Sequence, residues 1–341
     1  MSITMKEIAK QAGVSIGTVD RALHNRGRIR PEVAFLIRKI ADESGYKPSH
    51  AGRALALAKK PVKIGIIAHM VKIDFMAQIM NGIKAAKDEL ESLGTQVLIR
   101  SIDSVSVPQQ LAAIDELVAE GVQGIAISPA EDEALFQKIK AVSPSIPIVT
   151  FNTDMEGSGR FCFVGLNNLE SGKAAAHLMG TLVGGKGTVA VITGHQSNQA
   201  CKHRVEGFIN KIRKDYPNII LGDAQFCLDE EVLARDFAVS SIKSCPNLSG
   251  IFMCAGGQSG VCKGLEQLNA AQKVKVVAYD LMPATFNGLK TGAIDFLIDK
   301  DAFLQGYRPA MLLYDKLFHG NEKQQEYFYT DIVIKTKYNI Y

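Results

Sequence analysis

Residues 4–23 read TMKEIAKQAGVSIGTVDRAL, and this stretch predicts two short helices joined by a tight turn. Thr4 is suited to cap the first helix, and Gly13 tolerates the left-handed backbone of a sharp corner. The Ser15 hydroxyl can cap a second helix, while the small side chain of Ala9 allows the two helices to approach closely. The stretch therefore predicts a helix-turn-helix unit.

Charge is distributed unevenly along the chain. Residues 1–60 contain twelve Lys and Arg against five Asp and Glu, whereas the other 281 residues contain 27 and 30. A small helical domain of another kind could share the two-helix pattern, but this concentration of positive charge is typical of a segment that meets phosphates. We therefore expect double-stranded DNA as a partner, with the second helix in the major groove.

Three short motifs connect this stretch to a known family. The run AKQAGVSIGTVDR at 9–21, with GYKP at 45–48 and RALA at 53–56, resembles the headpiece of the lactose/galactose repressor family of bacterial transcription regulators. The resemblance covers the whole chain. It implies a sequence-specific DNA-binding transcriptional regulator, expected to be a repressor, whose operator affinity is controlled by a small effector.

The expected DNA contacts lie at the start of the second helix, in the cationic loop after it and in a hinge segment. They are Thr4, Ser15, Ile16, Gly17, Thr18, Arg21, Asn25, Arg28, Arg53 and Leu55. The resemblance implies that residues 49–58 form a helix only on DNA, with Leu55 wedged into the minor groove. An isolated helix of about ten residues is marginal in water, so a plain flexible linker is the alternative. The role of Asp20 is open, because the family usually has Ser there.

Length and composition place further limits on the protein. A chain of 341 residues suits two or three compact units, and its 47% hydrophobic and 22% charged residues are ordinary for a globular protein. The N-terminus lacks a basic segment followed by an apolar core, and no apolar run approaches the roughly 20 residues of a membrane span. We expect a cytoplasmic protein with no membrane partner. The six cysteines lack C-x-x-C spacing, which favours reduced thiols.

From Val62 onward the sequence alternates between apolar strand-like runs and amphipathic helices. The strand-like runs are 63–69, 97–101, 124–128, 147–151, 188–193, 250–254 and 274–279. Short, nearly all-apolar strands separated by helices predict α/β architecture with parallel sheets covered on both faces. Some 220 residues of this pattern predict two doubly wound subdomains, with a ligand at the carboxyl ends of the strands.

The resemblance implies a periplasmic-binding-protein-like sensor whose chain crosses between the subdomains three times. We expect the crossings near 164–166, near 298–301 and near Gly320. The predicted domains are a helix-turn-helix headpiece at 1–46, a linker at 47–61 and the sensor at 62–341. Within the sensor, subdomain one takes about 62–164 and 300–320, and subdomain two takes about 165–299 and 321–341.

Several residues follow predicted strand ends, and the resemblance implies that they contact the effector. They are Phe75, Asn152, Asp154, Arg204, Gln258, Asp280 and Lys300. Phe75 is expected to stack on a sugar, with a core position as the alternative, and turn chemistry is the alternative for Asn152 and Asp154. Arg204 would bind ligand hydroxyls through its rigid paired donors, and Asp280 would accept from two neighbouring hydroxyls.

Two departures from the family affect the expected ligand. Gln258 and Ser259 align where relatives often have Asn and Asp, and Lys300 aligns where they often have Gln. A second cation beside Arg204 favours a sugar acid or a sugar phosphate over a neutral sugar. We therefore expect a small carbohydrate effector, bound by a homodimer.

Signals for enzymes are weak in this sequence. The run GGKG at 184–187 precedes a strand and lacks the spacing of a phosphate loop, and no Gly-x-Ser-x-Gly elbow is present. His195, Cys201 and His203 could be imagined as metal ligands, but a helix start rich in polar residues is the simpler account, and we expect no metal site. We expect no enzymatic activity and no cofactor. A periplasmic solute receptor, the other alternative, would lack the helix-turn-helix.

Overall fold

The computed structural model describes residues 3, 5–23, 29–44, 61–319 and 325–340. Three helices form the headpiece: α1 (Met5–Ala12), α2 (Ile16–Leu23) and α3 (Pro31–Glu43). After α1 the chain turns at Gly13, whose φ is +63°. The Ser15 hydroxyl accepts a 3.2 Å hydrogen bond from the Thr18 N–H at the start of α2. The predicted helix-turn-helix is confirmed.

A small apolar core holds the three headpiece helices together. Ile8, Val19 and Ile37 contribute one fully buried side chain from each helix. The Val14 N–H donates a 3.0 Å hydrogen bond to the Ala9 carbonyl, which fixes the corner between α1 and α2. Because the apolar side chains of each helix point into this core, the first residues of α2 are left exposed to solvent.

From residue 61 onward, the described chain alternates between strands and helices. In order these are β1 (Lys63–His69), α4 (Asp74–Ser92), β2 (Gln96–Ile102), α5 (Val107–Ala119), β3 (Gly124–Ile127), α6 (Glu133–Val142), β4 (Ile148–Phe151), β5 (Cys162–Leu166), α7 (Asn168–Leu182), β6 (Lys186–Thr193), α8 (Gln199–Asp215), β7 (Asn218–Phe226), α9 (Glu231–Ser244), β8 (Leu248–Met253), α10 (Gln258–Gln267), β9 (Lys275–Tyr279), α11 (Pro283–Thr291), β10 (Phe296–Asp299), α12 (Ala302–His319), β11 (Tyr327–Thr330) and β12 (Val333–Lys335).

The strands form two six-stranded sheets, which define two lobes. The first sheet has the order β11-β5-β4-β3-β1-β2 and is parallel throughout. The second has the order β12-β10-β9-β8-β6-β7, and only β12 runs antiparallel to its neighbour. Each sheet is buried between helices, as apolar strands require. The predicted α/β fold class is confirmed.

Pairs of helices pack with direct backbone contact in both lobes. A Cβ added at Gly207 of α8 would lie 2.1 Å from the Leu169 carbonyl oxygen of α7. Gly82 brings α4 against α12 in the same way, and Gly260 brings α10 against α9. Because a side chain would not fit at these points, glycine sets the spacing of the helices.

Within residues 61–319 and 325–340, the chain crosses between the lobes three times. It leaves the first lobe between β5 and α7, and it returns between β10 and α12, which packs against α4 and β4. The third crossing is at Asp331 and Ile332, so the expectation of a crossing near Gly320 is wrong. The reason is that β11 pairs with β5 and stays in the first lobe, a pairing that residue pattern alone did not reveal.

The linker and the absence of a membrane span are the remaining expectations about the fold. The predicted linker at 47–61 lies outside the described residues except for Pro61. Among the described helices, none is both long and apolar enough to cross a membrane.

Candidate functional site

The start of α2 presents small and polar groups on the headpiece surface. Ser15, Ile16 and Gly17 are exposed and Thr18 is half-buried, and the Ser15 and Thr18 hydroxyl oxygens lie 2.9 Å apart. The other predicted DNA contacts lie outside the described residues. These are Thr4, Arg21, Asn25, Arg28, Arg53 and Leu55. For Arg21, the structure describes the backbone, as part of α2, but not the side chain.

In the sensor, a buried ion pair lies at the carboxyl ends of β9 and β10. Lys300 Nζ is 3.0 Å from Asp280 Oδ1, with side-chain exposures of 8% and 11%. Burial lowers the pKa of Lys300, and the Asp280 carboxylate opposes this shift. Because a carboxylate can accept several hydrogen bonds, the ion pair with Lys300 leaves Asp280 with capacity to accept from a ligand.

Lys300 also contacts the first lobe. Its Nζ lies 3.8 Å from the centroid of the Phe75 ring, at the start of α4. Phe75 is half-buried and packs against the core of the first lobe, so the ring has both a core contact and a face turned to the cation. The contact brings together residues from the two lobes.

Arg204, in the second turn of α8, is held by three groups. Its Nε donates to Asn168 Oδ1 at 2.8 Å, and its Nη1 donates to the Cys254 carbonyl at 2.9 Å. Its guanidinium carbon lies 4.5 Å from the Tyr279 ring centroid. Arg204 interacts electrostatically with both Asp280 and Lys300, so the three charged side chains form one cluster.

Gln258, the first residue of α10, is almost fully buried in the wall of the second lobe. Its Nε2 donates a 3.0 Å hydrogen bond to the Tyr279 carbonyl. That bond fixes the end of β9 immediately before Asp280. In this geometry Gln258 supports the cluster through the backbone.

Asn152 and Asp154 follow β4 in the first lobe. Asn152 adopts a φ of +62°, and its N–H donates to the Val164 carbonyl at 3.0 Å. The Asp154 carboxylate accepts from Arg160 Nη2 at 2.6 Å and from the Thr150 hydroxyl at 2.8 Å. Its oxygens are therefore occupied in the turn, the alternative role that sequence analysis gave it.

A cavity of about 490 Å³ lies between the lobes, and Asn168, which accepts from Arg204, is the link between its lining and the charged cluster. It is lined by polar and aromatic groups that include Glu131, Asn152, Asn168, His203, Tyr327 and Tyr329. Sequence analysis missed Glu131 and the two tyrosines. Glu131 lies four residues beyond the end of β3, and the tyrosines alternate along β11, a strand that was not predicted.

Hydrogen bonds from both sides of the cleft connect the lobes. The Gln199 N–H at the start of α8 lies 3.1 Å from both oxygens of Glu131. Burial raises the pKa of Glu131, and the hydrogen bond from Gln199 opposes the increase. Gln78 Nε2 in α4 donates to the Leu281 carbonyl at 2.8 Å.

Two family models match the chain. The model of bacterial regulatory proteins of the lacI family matches residues 4–49, and that of the periplasmic binding protein domain matches residues 64–322. Together they account for the headpiece and the two-lobed sensor.

Individual proteins are similar to this chain over most of its length. Catabolite control protein A of Staphylococcus aureus is 23% identical over 266 residues, covering 76% of each chain. The HTH-type transcriptional regulator GntR of Pseudomonas aeruginosa is 27% identical, covering 83% of this chain and 80% of its own. The solved structure of AraP, an arabinose binding protein from Geobacillus stearothermophilus, is 27% identical with a TM-score of 0.71, covering 82% of this chain and 98% of its own.

The fold and the cleft define a regulator with a helix-turn-helix headpiece and a two-lobed sensor that is similar to sugar-binding proteins. The chain belongs to the lacI family of bacterial regulatory proteins, with a periplasmic binding protein domain after the DNA-binding headpiece.

Proposed function

We propose that this regulator binds a two-fold symmetric DNA operator as a homodimer and that a small carbohydrate in the sensor cleft controls its affinity. The observation that supports this most strongly is the buried cluster of Arg204, Asp280 and Lys300 at the strand ends between the lobes. Ligands of open parallel sheets bind at such strand ends.

The cluster supplies the groups that recognise hydroxyls. The Asp280 carboxylate can accept from a ligand hydroxyl in addition to its ion pair with Lys300, and Arg204 offers fixed guanidinium donors. Tyr327 and Tyr329, which line the cavity, can stack on the apolar face of a sugar ring, and Phe75 can do so only on the ring face that Lys300 does not cover. We propose that the carbohydrate site includes Phe75, Asn152, Arg204, Gln258, Asp280 and Lys300. Asp154 would act indirectly by shaping the turn.

The charge balance favours an anionic carbohydrate. Two cations and one carboxylate give the cluster a net positive charge, and burial from water strengthens its attraction for an anion. A sugar acid or a sugar phosphate would pair with Lys300 or Arg204 while its hydroxyls reach Asp280.

A thermal-melting screen of the purified full-length protein tests this proposal. Neutral sugars, sugar acids and sugar phosphates would each be added, since a ligand that binds the folded state raises the melting temperature. We expect an anionic sugar to give the largest increase and to change the gel-shift affinity for a palindromic operator. Stabilisation by neutral sugars alone would refute the charge argument, and turnover of a sugar would favour an enzyme.

A change in the angle between the lobes would couple the two sites. In a dimer, that change would alter the separation of the two headpieces and their fit to the two half-sites. Measuring the mass of the protein in solution tests the dimer, and a monomer on DNA would contradict this arrangement.

A further inference from the structure

Three of the six cysteines lie near one another beside Arg204 in the second lobe. Cys201 is in the first turn of α8, Cys227 follows β7 and Cys254 follows β8, and all three are buried free thiols. The proposed effector binding uses none of their sulfur atoms.

Cys201 and Cys254 are in direct contact. Cys201 Sγ lies 3.9 Å from the Cys254 carbonyl oxygen, and the Cys254 side chain has the largest effect on the pKa of Cys201, which it lowers. Cys254 Sγ lies 3.2 Å from the Thr193 hydroxyl oxygen, at the end of β6. The two cysteines are thus neighbours, Cys201 at the start of a helix and Cys254 at the end of a strand.

The surroundings of Cys201 stabilise a thiolate. Its backbone N–H is capped by Asn198 Oδ1 at 2.9 Å, so the sulfur belongs to the positive end of a 17-residue helix. The hydrogen bond from the Cys254 thiol, the Arg204 charge and the Gly194 backbone lower the pKa of Cys201 to about 6, although burial and the Asp229 carboxylate oppose this shift.

The other cysteines with a resolved shift behave in the opposite way. Burial raises the pKa of Cys227 and of Cys262 to about 11. Burial also raises the pKa of Cys254, which therefore stays protonated and can donate to Cys201. Cys201 is distinguished from these by its place at the helix start and beside Arg204.

We propose that Cys201 and Cys254 are a peroxide-sensitive thiol pair that converts to a disulfide. The Cys201 thiolate attacks one oxygen of a hydroperoxide, an S–O bond forms, and the O–O bond breaks to release an alkoxide or hydroxide that takes up a proton. The Cys254 sulfur then attacks the Cys201 sulfur as its proton leaves. The S–S bond forms, the S–O bond breaks, and hydroxide departs with that proton as water.

The disulfide would change the position of Arg204. Arg204 lies three residues after Cys201 and donates to the carbonyl of Cys254, so both ends of the new bond flank it. This last step rests on the proposed effector site, whereas the thiol chemistry does not. Oxidation would then weaken carbohydrate binding without touching the headpiece.

Peroxide treatment of the full-length protein, followed by alkylation and peptide mass spectrometry, tests the thiol pair. We expect one disulfide per chain, between Cys201 and Cys254. In Cys254→Ser the reaction should stop at a sulfenic acid on Cys201 that a 1,3-dione traps, and Cys201→Ser should block it. Cys262→Ser, at a partly buried cysteine outside the pair, is the control and should behave like the unmodified sequence.

The pH dependence of alkylation gives a second reading that needs no variant. The rate at Cys201 should reach half its plateau near pH 6, in keeping with its pKa of about 6, while the rate at Cys262 still rises at high pH. Oxidation of Cys262 at the same rate as Cys201, or the absence of the cross-linked peptide, would overturn the proposal. Disulfide formation with unchanged melting-screen results would retain the thiol pair and remove its link to the effector.

Discussion

Among single residues, Asp280 and Lys300 have the strongest mutual dependence. Each is almost fully buried, and each supplies the charge that compensates the other. Removing one partner of such a pair leaves an uncompensated charge that costs roughly 3–5 kcal/mol. The effect of a substitution at Asp280 or Lys300 alone should therefore be compared with the effect of substituting both residues.

Asp280→Asn should abolish the thermal stabilisation by the carbohydrate and leave operator binding intact. Asparagine is the appropriate substitution because residue 280 has a φ of +66°, which Asn tolerates. Melting curves with and without ligand, and gel shifts, would measure the two effects. Asp223→Asn, on the exposed part of β7, is the control. The double variant Asp280→Asn/Lys300→Gln should recover stability but not the ligand response; a normal response in either would contradict the site.

His69 should make the sensor less stable in acid. Burial lowers its pKa from the ordinary value of 6.5, so below that pH the unfolded chain binds a proton that the folded protein does not. The free energy of unfolding should then decrease as the pH is lowered, by at most about 1.4 kcal/mol per pH unit from this one group. Urea unfolding between pH 7.5 and 5 should show a flatter dependence for His69→Asn. An unchanged slope in His69→Asn would contradict this role for His69.

At the scale of helices and strands, the headpiece depends on very few side chains. Its core contains Ile8, Val19 and Ile37, whose side chains have no solvent exposure. Because the unit is small, the loss of one such side chain removes much of its stability.

Ile37→Ala should unfold the headpiece or weaken it severely, and DNA binding should be lost with it. The cavity left by an isoleucine in a core costs about 2–5 kcal/mol. Phe35→Ala on the same helix is the control, since Phe35 is 70% exposed and Ile37 is 0% exposed. Fluorescence anisotropy with operator DNA measures the outcome, and equal affinities for the two variants would contradict the assigned core.

Gly207→Ala should displace Arg204 by pushing α8 away from α7. The added Cβ would meet the Leu169 carbonyl oxygen at 2.1 Å, whereas a Cβ at Gly222 would have no contact closer than 3.9 Å. We expect a lower melting temperature and a weaker ligand response for Gly207→Ala, and neither for Gly222→Ala. If both variants melt alike, the helices do not pack as described.

The elements that could be predicted are those with a clear local signal in their own residues. Gly13 and Ser15 mark the headpiece turn, and apolar runs mark β1, β3 and β8. Three of the missed strands, β7, β11 and β12, lie at sheet edges, so their pairing depends on the rest of the fold. In the same way, strand ends marked Arg204 and Asp280, whereas Tyr327 and Tyr329 required knowledge that β11 stays in the first lobe.

For the whole molecule, the separation of charge between headpiece and sensor has a direct consequence. The positive excess of residues 1–60 contrasts with the slightly acidic remainder. Binding that neutralises phosphates releases counterions, so its strength depends on salt.

Operator affinity should therefore fall steeply as salt rises. A protein with six to ten phosphate contacts loses on the order of 10³ to 10⁵ in affinity between about 50 and 200 mM salt. Gel shifts across that range measure the slope, and random DNA is the comparison for specificity. Deleting residues 1–60 should abolish retention of DNA, and a sensor that still binds DNA would contradict the division of roles.

The glycine contacts between helices also restrict how the sensor deforms. At these points one main chain rests directly on another, and no rotamer change can accommodate sliding. Each lobe should then behave as a stiff block, and the strain of ligand-driven motion should concentrate in the three connecting segments, which are Asn167, Lys300 with Asp301, and Asp331 with Ile332. Amide hydrogen exchange should change there on adding carbohydrate, while the helix pairs remain protected.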